Sequence, residues 1–569
     1  MEEKSFINCH THTFTGDHVP RQLGKKLLPA PLGKIFTITM IVDFFRWWYK
    51  GPYRWRFSKL YISTKTFIHE IRLACRRNFV LRTLIILASV ILTIDGLLIL
   101  YHWVLIWFVP ENSWPGSIEK FRSFLKMWWL LPADEQSFLQ LLIFVFVLVL
   151  VPSGRNLLLF LLKLIPRFFK LLPGSKTKEF ILRYLSIGRF TFHGQQGTIF
   201  KDLRVQYPLD TKFVILPMDM DFIDAGTPRK NYLLQLQELR ELRNKNKETA
   251  LPFVFADPRR IVQDPAYEKV VKDCIEKEGF HGIKTYPALG YYPFDKDLLP
   301  LMLYACENEI PVLNHCIKGV IFYRGNKKPE WDRHPLFIQS TGEKEKFESL
   351  QLFQQKNIDF SPNFTHPLNY LCLLDEKRLR QLLILYNDDN LFRLYGYTDA
   401  TTPLKRNLEN LKICFGHFGG EDEWARYLES DRFIQDNSLM FHPDRGIDFI
   451  KDSALEGIWK HASWYTIIYS LMLQYKNVYA DISYILHDPN TFHLLRTTLM
   501  EKSGIADRVL FGTDFYVVRS QKSDKQLWTD IVGSLTEREL KLLAIDNPRM
   551  FLKNKITGNI SEAKQAILD

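Results

Sequence analysis

The chain has 569 residues, a formal net charge of +12, and 46% apolar side chains. It is too long for one domain of ordinary size and too apolar for a disordered polyelectrolyte. The basic balance leaves nucleic acid or an anionic membrane as partner classes, while seven cysteines without paired spacing exclude a disulfide framework and fit a reducing compartment.

In chain order, the first predicted element is a strand over Phe6-Ile7-Asn8-Cys9-His10-Thr11-His12. The charged amino terminus leads straight into it, so no cleavable leader is expected. Side chains two apart on a strand leave by the same face. His10 and His12 therefore aim two imidazoles at one point, which suits one metal ion, although such pairs also arise by chance. Cys9, between Asn8 and His10, is expected to point the other way, between strand and covering helices. Asp17 in the following loop is a candidate for the mouth of a pocket.

The next block, residues 23–188, differs in composition from the rest. Residues 83–109 form a nearly unbroken apolar run, interrupted by Asp95 and His102, long enough to span a bilayer. Trp103 and Trp107 near one end suit an interfacial belt. A second candidate, 138–165, is shorter in its apolar part and is broken by Pro152, Gly154 and Arg155. It reads as a span through a proline kink or as a re-entrant helix. Asp95 would be costly in a span and so needs a partner, for which Arg155 is a candidate. Because His10 precedes the block and the other candidate ligands follow it, they can share one ion only with an even number of crossings. Two are expected. The flanks from Arg46 to Arg82 and from Arg155 to Arg189 are strongly basic, whereas the loop from Glu111 to Glu135 is nearly balanced. The positive-inside rule then places the flanks, and the rest of the chain, on the cytoplasmic side of a cytoplasmic membrane. The same basic flanks suit anionic lipid. No nucleic-acid recognition motif is present and none of that partner is expected.

Residues 189–569 return to strand and helix in alternation. Strand-like runs occur at 212–217, 252–256, 281–286, 310–315, 411–417, 477–482 and 508–514, which with the first makes eight. Helical periodicity fills intervals such as 232–243, 267–278 and 298–307. Eight alternations predict an α/β fold, a (β/α)8 barrel of the TIM type interrupted after its first strand by a mostly helical, membrane-inserted block. Such barrels carry their chemistry at the C-terminal ends of the strands. His12, His315, His417 and Asp514 all fall there. A Lys- and Glu-rich stretch within 321–365 reads as a second insertion, either a lid or a solvated loop.

As a set, Asn8-Cys9-His10-Thr11-His12, Gly282-Ile283-Lys284-Thr285-Tyr286-Pro287, Leu313-Asn314-His315, Phe415-Gly416-His417-Phe418-Gly419-Gly420 and Phe511-Gly512-Thr513-Asp514 resemble the amidohydrolase superfamily. The branch is that of aminocarboxymuconate-semialdehyde decarboxylase, and the resemblance covers 1–20 and roughly 190–555. It implies that His10, His12, His315 and Asp514 are ligands of a divalent metal, and that His417 is the acid/base residue or a further ligand. Three imidazoles and a carboxylate suit zinc, with manganese as the alternative. Lys284 sits where some superfamily members carry a metal-bridging carbamate. A salt bridge within the barrel or a contact with substrate carboxylate is the other reading.

The function expected from this set is a metal-dependent hydrolase using activated water on an amide, ester or lactone, with His417 and Asp514 as catalytic residues. The alternatives are a decarboxylase or hydratase on the same ligands, or a non-catalytic membrane scaffold that keeps the barrel. The substrate is a small molecule, amphipathic if the interrupted barrel opens toward the bilayer, and residues 83–165 would meet membrane lipid. Asp219, Asp221 and Asp481 read as pocket-facing or loop-capping groups, with Asp481 a supporting or substrate contact rather than a ligand. Tyr286, Tyr291 and Arg259 are candidates for recognition or for packing. His366 reads as structural or rim, and His18, His193, His281, His442 and His461 as ordinary solvated or satisfied histidines.

Overall fold

The computed structural model describes residues 5–26, 37–108, 137–151, 193–343, 346–429, 434–500 and 503–556, with Phe190 and short stretches of 120–163 besides. The chain divides into two compact units, one of residues 1–47 with 179–569 and one of residues 48–178.

Among its described residues the first unit has ten strands: β1 (Ile7–Thr11), β2 (Lys212–Ile215), β3 (Ala250–Phe255), β4 (Gly282–Thr285), β5 (Val312–Ile317), β6 (Arg333–Ser340), β7 (Phe347–Gln351), β8 (Ile413–Gly419), β9 (Val478–Asp481) and β10 (Val509–Leu510). Eight lie in one sheet in the order β1-β2-β3-β4-β5-β8-β9-β10, every neighbour parallel. The sheet closes on itself: the Cys9 amide donates to the Phe511 carbonyl at 2.8 Å, the Asp514 amide donates to the His10 carbonyl at 2.8 Å, and Thr11 bridges Phe515. All eight expected strands are present. Helices such as Tyr232–Lys245, Tyr267–Glu276, Leu299–Glu307, Trp464–Gln474 and Asp524–Ser534 follow individual strands. This is a (β/α)8 barrel.

Alternation along each strand separates two cores. Ile7, Cys9, Val214, Leu216, Leu251, Phe253, Leu313, Cys414, Tyr479 and Leu510 form one cluster with Phe551 and Leu552. Strands from opposite sides of a closed barrel can contribute to one cluster only inside it. The expected outward position of Cys9 is therefore wrong. The register of β1 against β2 shifts between Asn8 and Thr11, and such a bulge re-aims the following side chain. Cys9 and His10 consequently both face inward, with Cys9 in the apolar layer.

The boundary of the insertion also differs from residue 23. The helix Ile38–Trp48 buries Ile38 and Val42 in the outer core of the barrel unit. Its residue Arg46 grips Asp17 through both carboxylate oxygens, at 2.9 and 2.6 Å. Asp17 is thus tied to guanidinium groups rather than free at a mouth. Within 321–365, β6 and β7 pair as an antiparallel hairpin and two short helices follow, Asn357–Phe360 and Pro362–Thr365. Phe337 and Leu350 are buried, and His334 hydrogen-bonds Asn369 at 3.0 Å, so this stretch is packed rather than a solvated loop.

In the second unit, the helix Phe79–Phe108 contains, among the described residues, the one segment long and apolar enough to cross a membrane, Phe79–Tyr101, with mean hydropathy 2.5. The second candidate, 138–165, is described only in part: 154–156 and 158–160 are also helical, and the Arg155 amide donates to the Val151 carbonyl at 3.0 Å. Ser137–Leu150 is helical with a short apolar core, Phe138–Leu148, and several residues from 152 to 165 lie outside the described ones. The side chains of Asp95 and Trp107 likewise lie outside them. A Cβ on Gly96 would come within 2.9 Å of Val147, and the Trp103 indole N–H donates to Gln140 at 2.9 Å. Rising numbers on one helix thus meet falling numbers on the other. The two pack as an antiparallel pair.

Candidate metal centre

The bulge in β1 and the ends of β5, β8, β9 and β10 bring His10, His12, His315, His417, Asp481 and Asp514 together in the barrel's C-terminal half. Their hydrogen bonds settle where each imidazole carries its proton. His10 Nδ1 lies 2.9 Å from Asp481 Oδ2. Asp481 stays ionised, because His10, His417 and Ser483 hold its carboxyl below the usual range against the opposing effect of burial. An ionised carboxylate only accepts, so His10 carries its proton on Nδ1 and presents a bare lone pair at Nε2. His12 Nδ1 lies 2.8 Å from the Leu216 carbonyl, which also only accepts. Its Nε2 is turned toward Asp514.

The same logic runs through His417. Its Nδ1 is 3.1 Å from the Ser483 carbonyl and 2.9 Å from Ser483 Oγ. Ser483 gives its own proton to Asp481. His417 therefore donates from Nδ1 and accepts at Nε2, where His315 Nδ1 stands at 3.2 Å. That leaves His315 Nε2 bare. Burial, reinforced by neighbouring cations and imidazoles, depresses all three of His10, His315 and His417, the last to about 3, so they are neutral at pH 7.

Two of these lone pairs are thus turned inward with nothing to bind. Nε2 of His10 and Nε2 of His315 are buried without a hydrogen-bond partner among the described residues. His12 Nε2 faces Asp514 Oδ1 at 3.1 Å, and His10 Nε2 faces the same oxygen at 3.8 Å. Burial pushes the Asp514 carboxyl up, but His12, His417 and His10 outweigh it and hold it at about 2. A lone pair opposed to a carboxylate at this distance is repulsive unless a proton or cation lies between them. The donor set fits a divalent cation. His10, His12 and Asp514 offer ligand atoms within 4.8 Å of one another, as do His10, His417 and Asp481; His315 belongs to neither group.

Two glycines make room for His10. A Cβ on Gly512 would lie 2.8 Å from His10 Cβ, and one on Gly416 would lie 3.1 Å from His10 Cε1. His417 and Asp514 both adopt left-handed backbone, with φ of 66° and 57°. Such conformations cost about 1–3 kcal/mol each and persist only where the surroundings over-determine them.

Lys284, on β4, is buried, and its Nζ has no hydrogen-bond partner among the described residues. Burial pulls its ammonium down to about 8 against the opposing pull of Asp481 and Asp514. Tyr286 stacks on His315 with ring centroids 3.7 Å apart. The other candidates are structural. Arg260 binds Asp219 and Asp221, and Arg259 binds Asp257 and two carbonyls. Tyr291 accepts from the Tyr286 amide at 2.8 Å, and His366 stacks on Trp459 at 3.8 Å. Ser483, which ties His10, His417 and Asp481 together, was not foreseen. Its i, i+2 spacing from Asp481 was the available signal.

Replacing Asp481 with Asn should free the His10 tautomer and weaken metal affinity by about 10–100-fold. Metal titration of the purified protein would measure this, and unchanged affinity would remove Asp481 from that role.

A closed parallel barrel with imidazoles and carboxylates converging at the C-terminal strand ends defines a barrel of the metal-site class. No family model and no curated protein matches the chain. Solved structures similar to it include 2,6-dihydroxybenzoate decarboxylase from Rhizobium, at 15% identity and TM-score 0.31, over 60% of this chain and 83% of that one. Another is 5-carboxyvanillate decarboxylase from Novosphingobium aromaticivorans with manganese, at 13% and 0.35, over 68% and 85%. A third is 4-oxalomesaconate hydratase from Rhodopseudomonas palustris, at 13% and 0.32, over 65% and 84%.

Proposed function

We propose that the protein is a metal-dependent hydrolase of the amidohydrolase type, acting on an amide, ester or lactone. The observation that carries this reading is the convergence of imidazole nitrogens on an ionised Asp514. His10, His12 and Asp514 would hold the ion, with His315 joining them. A bound divalent cation, zinc or manganese, would supply Lewis acidity and lower the pKa of water in its field. Asp481 and the Leu216 carbonyl keep His10 and His12 in the tautomers that ligation needs. Asp514, ionised at neutral pH, can take a proton from the attacking water. His417 accepts at Nε2 and relays through Ser483, so it serves as the acid/base group rather than a ligand.

A second reading, decarboxylation, is favoured by Lys284. A buried ammonium without a partner is costly, and a substrate carboxylate would pair it. A bridging carbamate on the same lysine remains an alternative use of that nitrogen. The substrate reading extends to the membrane: Phe79–Tyr101 and a second crossing that includes Phe138–Leu148 would anchor the chain, with the barrel on the cytoplasmic side and an amphipathic substrate reaching it from lipid. Alkaline carbonate extraction should leave the full chain in the membrane pellet, and release to the supernatant would overturn the anchor.

Amides, esters, lactones and carboxylated aromatics, screened with and without zinc or manganese, test the chemistry. Acid or amine release supports the hydrolase, and carbon dioxide release supports the decarboxylase. The His417→Asn variant should lose turnover by about 10²–10⁴-fold while retaining metal. Full turnover in that variant would remove His417 from the reaction, and absence of metal dependence would overturn both readings.

A further inference from the structure

The helix Lys59–Arg77 is the strongest feature of the chain that the barrel chemistry does not use. It is a separate element and not a continuation of the apolar helix after it. Ser58 caps its start, accepting from the Tyr61 amide at 3.2 Å. Asn78 breaks its end in extended backbone, with φ −89° and ψ 115°, and then caps the next helix by accepting from the Leu81 amide at 3.2 Å.

Most of its large apolar side chains sort to one side by helical period, while Ile62 and Leu73, also exposed, lie on the other. Leu60, Phe67, Ile68 and Ile71, at i, i+7, i+8 and i+11, form one stripe. They are 70%, 61%, 47% and 47% exposed. Thr66 lies on the other side, Lys65 and Arg72, seven residues apart, share one edge of the stripe, and Glu70 stands at the opposite edge. The segment before the helix is similar in character: Tyr53, Trp55 and Phe57 are exposed, with Arg56 over the rings of Tyr53 and Phe57 at 5.6 and 5.9 Å. From residue 48 to 77 there are eight Lys or Arg against one acidic residue, Glu70. An apolar stripe open to solvent costs free energy. A protein partner would have to be acidic as well as apolar, whereas an anionic bilayer offers both properties in one surface.

We infer that Lys59–Arg77, with the aromatic segment before it, lies in the interface of an anionic lipid membrane, its Leu60–Ile71 stripe in the acyl region and its cations among the headgroups. This reading rests on the helix itself and not on the chemistry of the barrel. Burial of the stripe gives the affinity, and the cations give the preference for anionic lipid. The helix then fixes the bilayer surface relative to the start of Phe79–Phe108, which follows directly after Asn78.

The test uses the full chain, with Cys75 and Cys306 replaced by Ser and single spin labels on Phe67→Cys, Ile71→Cys, Thr66→Cys or Glu70→Cys. The labelled protein is reconstituted into phosphatidylglycerol-rich or pure phosphatidylcholine vesicles. Labels at 67 and 71 should be open to oxygen and shielded from a water-soluble nickel complex in the anionic vesicles, with the reverse at 66 and 70. Lys65→Gln with Arg72→Gln should lower the immersed-to-free ratio by about fivefold per cation, and about 1 M salt should do the same. Equal nickel access at all four sites would overturn the inference. So would immobilisation of 67 and 71 in detergent as well as lipid, which would mean that protein covers the stripe. Equal ratios in the two lipids would overturn its anionic part.

Discussion

Asp514→Asn is expected to abolish both metal retention and turnover. The substitution keeps the shape of the side chain and removes its charge. His10 and His12 would then point their lone pairs at a neutral amide, and a divalent cation would lose the anionic ligand on which their Nε2 atoms converge. The loss should exceed the roughly 10–100-fold that an outer hydrogen-bond partner costs, reaching about a thousandfold or more. A readout independent of substrate is available. A cation that binds only the folded state stabilises it by about 2.7 kcal/mol at a hundred times its Kd, so added zinc or manganese should raise the Tm of the wild type. The Asn variant should show no such rise. Equal metal-dependent shifts in wild type, Asp514→Asn and His12→Ala would place the ion elsewhere and end the case for this centre. A complete loss of metal response with the fold retained would also set the catalytic reading above that of a membrane scaffold, once turnover is scored beside it.

Arg260→Met should destabilise the barrel unit by about 3–5 kcal/mol at pH 7. Arg260 is itself mostly buried, grips both oxygens of the buried Asp219, and reaches Asp221 at 2.6 Å. Removing it strands a carboxylate in the core. The effect depends on pH in a defined direction. Burial raises Asp219 to about 6 even though Arg260 pulls it down. A carboxyl whose folded pKa lies above its unfolded value near 3.9 is most favourable at low pH and loses stability as pH rises through the folded value. Without the guanidinium that value climbs further. The gap between variant and wild type should therefore narrow as pH falls from 7 to 5. The double variant Arg260→Met with Asp219→Asn should recover much of the loss, since no charge is then stranded. Denaturant unfolding at pH 5 and pH 7 measures both. A gap that does not change with pH would mean that Asp219 has the same folded pKa with and without Arg260.

Local pattern made the barrel readable. Each strand is a short apolar run ending in a polar group, and each is separated from the next by helical periodicity, so 310–315 and 508–514 could be recognised in isolation. The same was true of Phe79–Tyr101, whose length and apolarity are properties of one segment. Where a feature depended on counting, a single irregularity misled. Strict alternation counted from His10 sends Cys9 outward; Cys9 instead follows Ile7 inward beside Cys414, and the bulge between Asn8 and Thr11 re-aims His10 to the same side. The edge of the insertion was misjudged for a related reason. The helix Ile38–Trp48 resembles the apolar block in composition, but Ile38 and Val42 find their burial in the barrel.

The resemblance carried by their motifs named His10, His12, His315, His417 and Asp514 as one set, and the strand pattern seated His12, His315, His417 and Asp514 at strand ends. Their division of labour was not legible there. It depends on hydrogen bonds between groups far apart in sequence, such as His10 with Asp481 and His417 with His315. An imidazole has two nitrogens of equal standing until a neighbour that can only accept claims the proton of one. Only the closed barrel brings those acceptors, Asp481, the Leu216 carbonyl and the Ser483 carbonyl, within reach, and so only the folded chain decides which lone pairs are left for an ion.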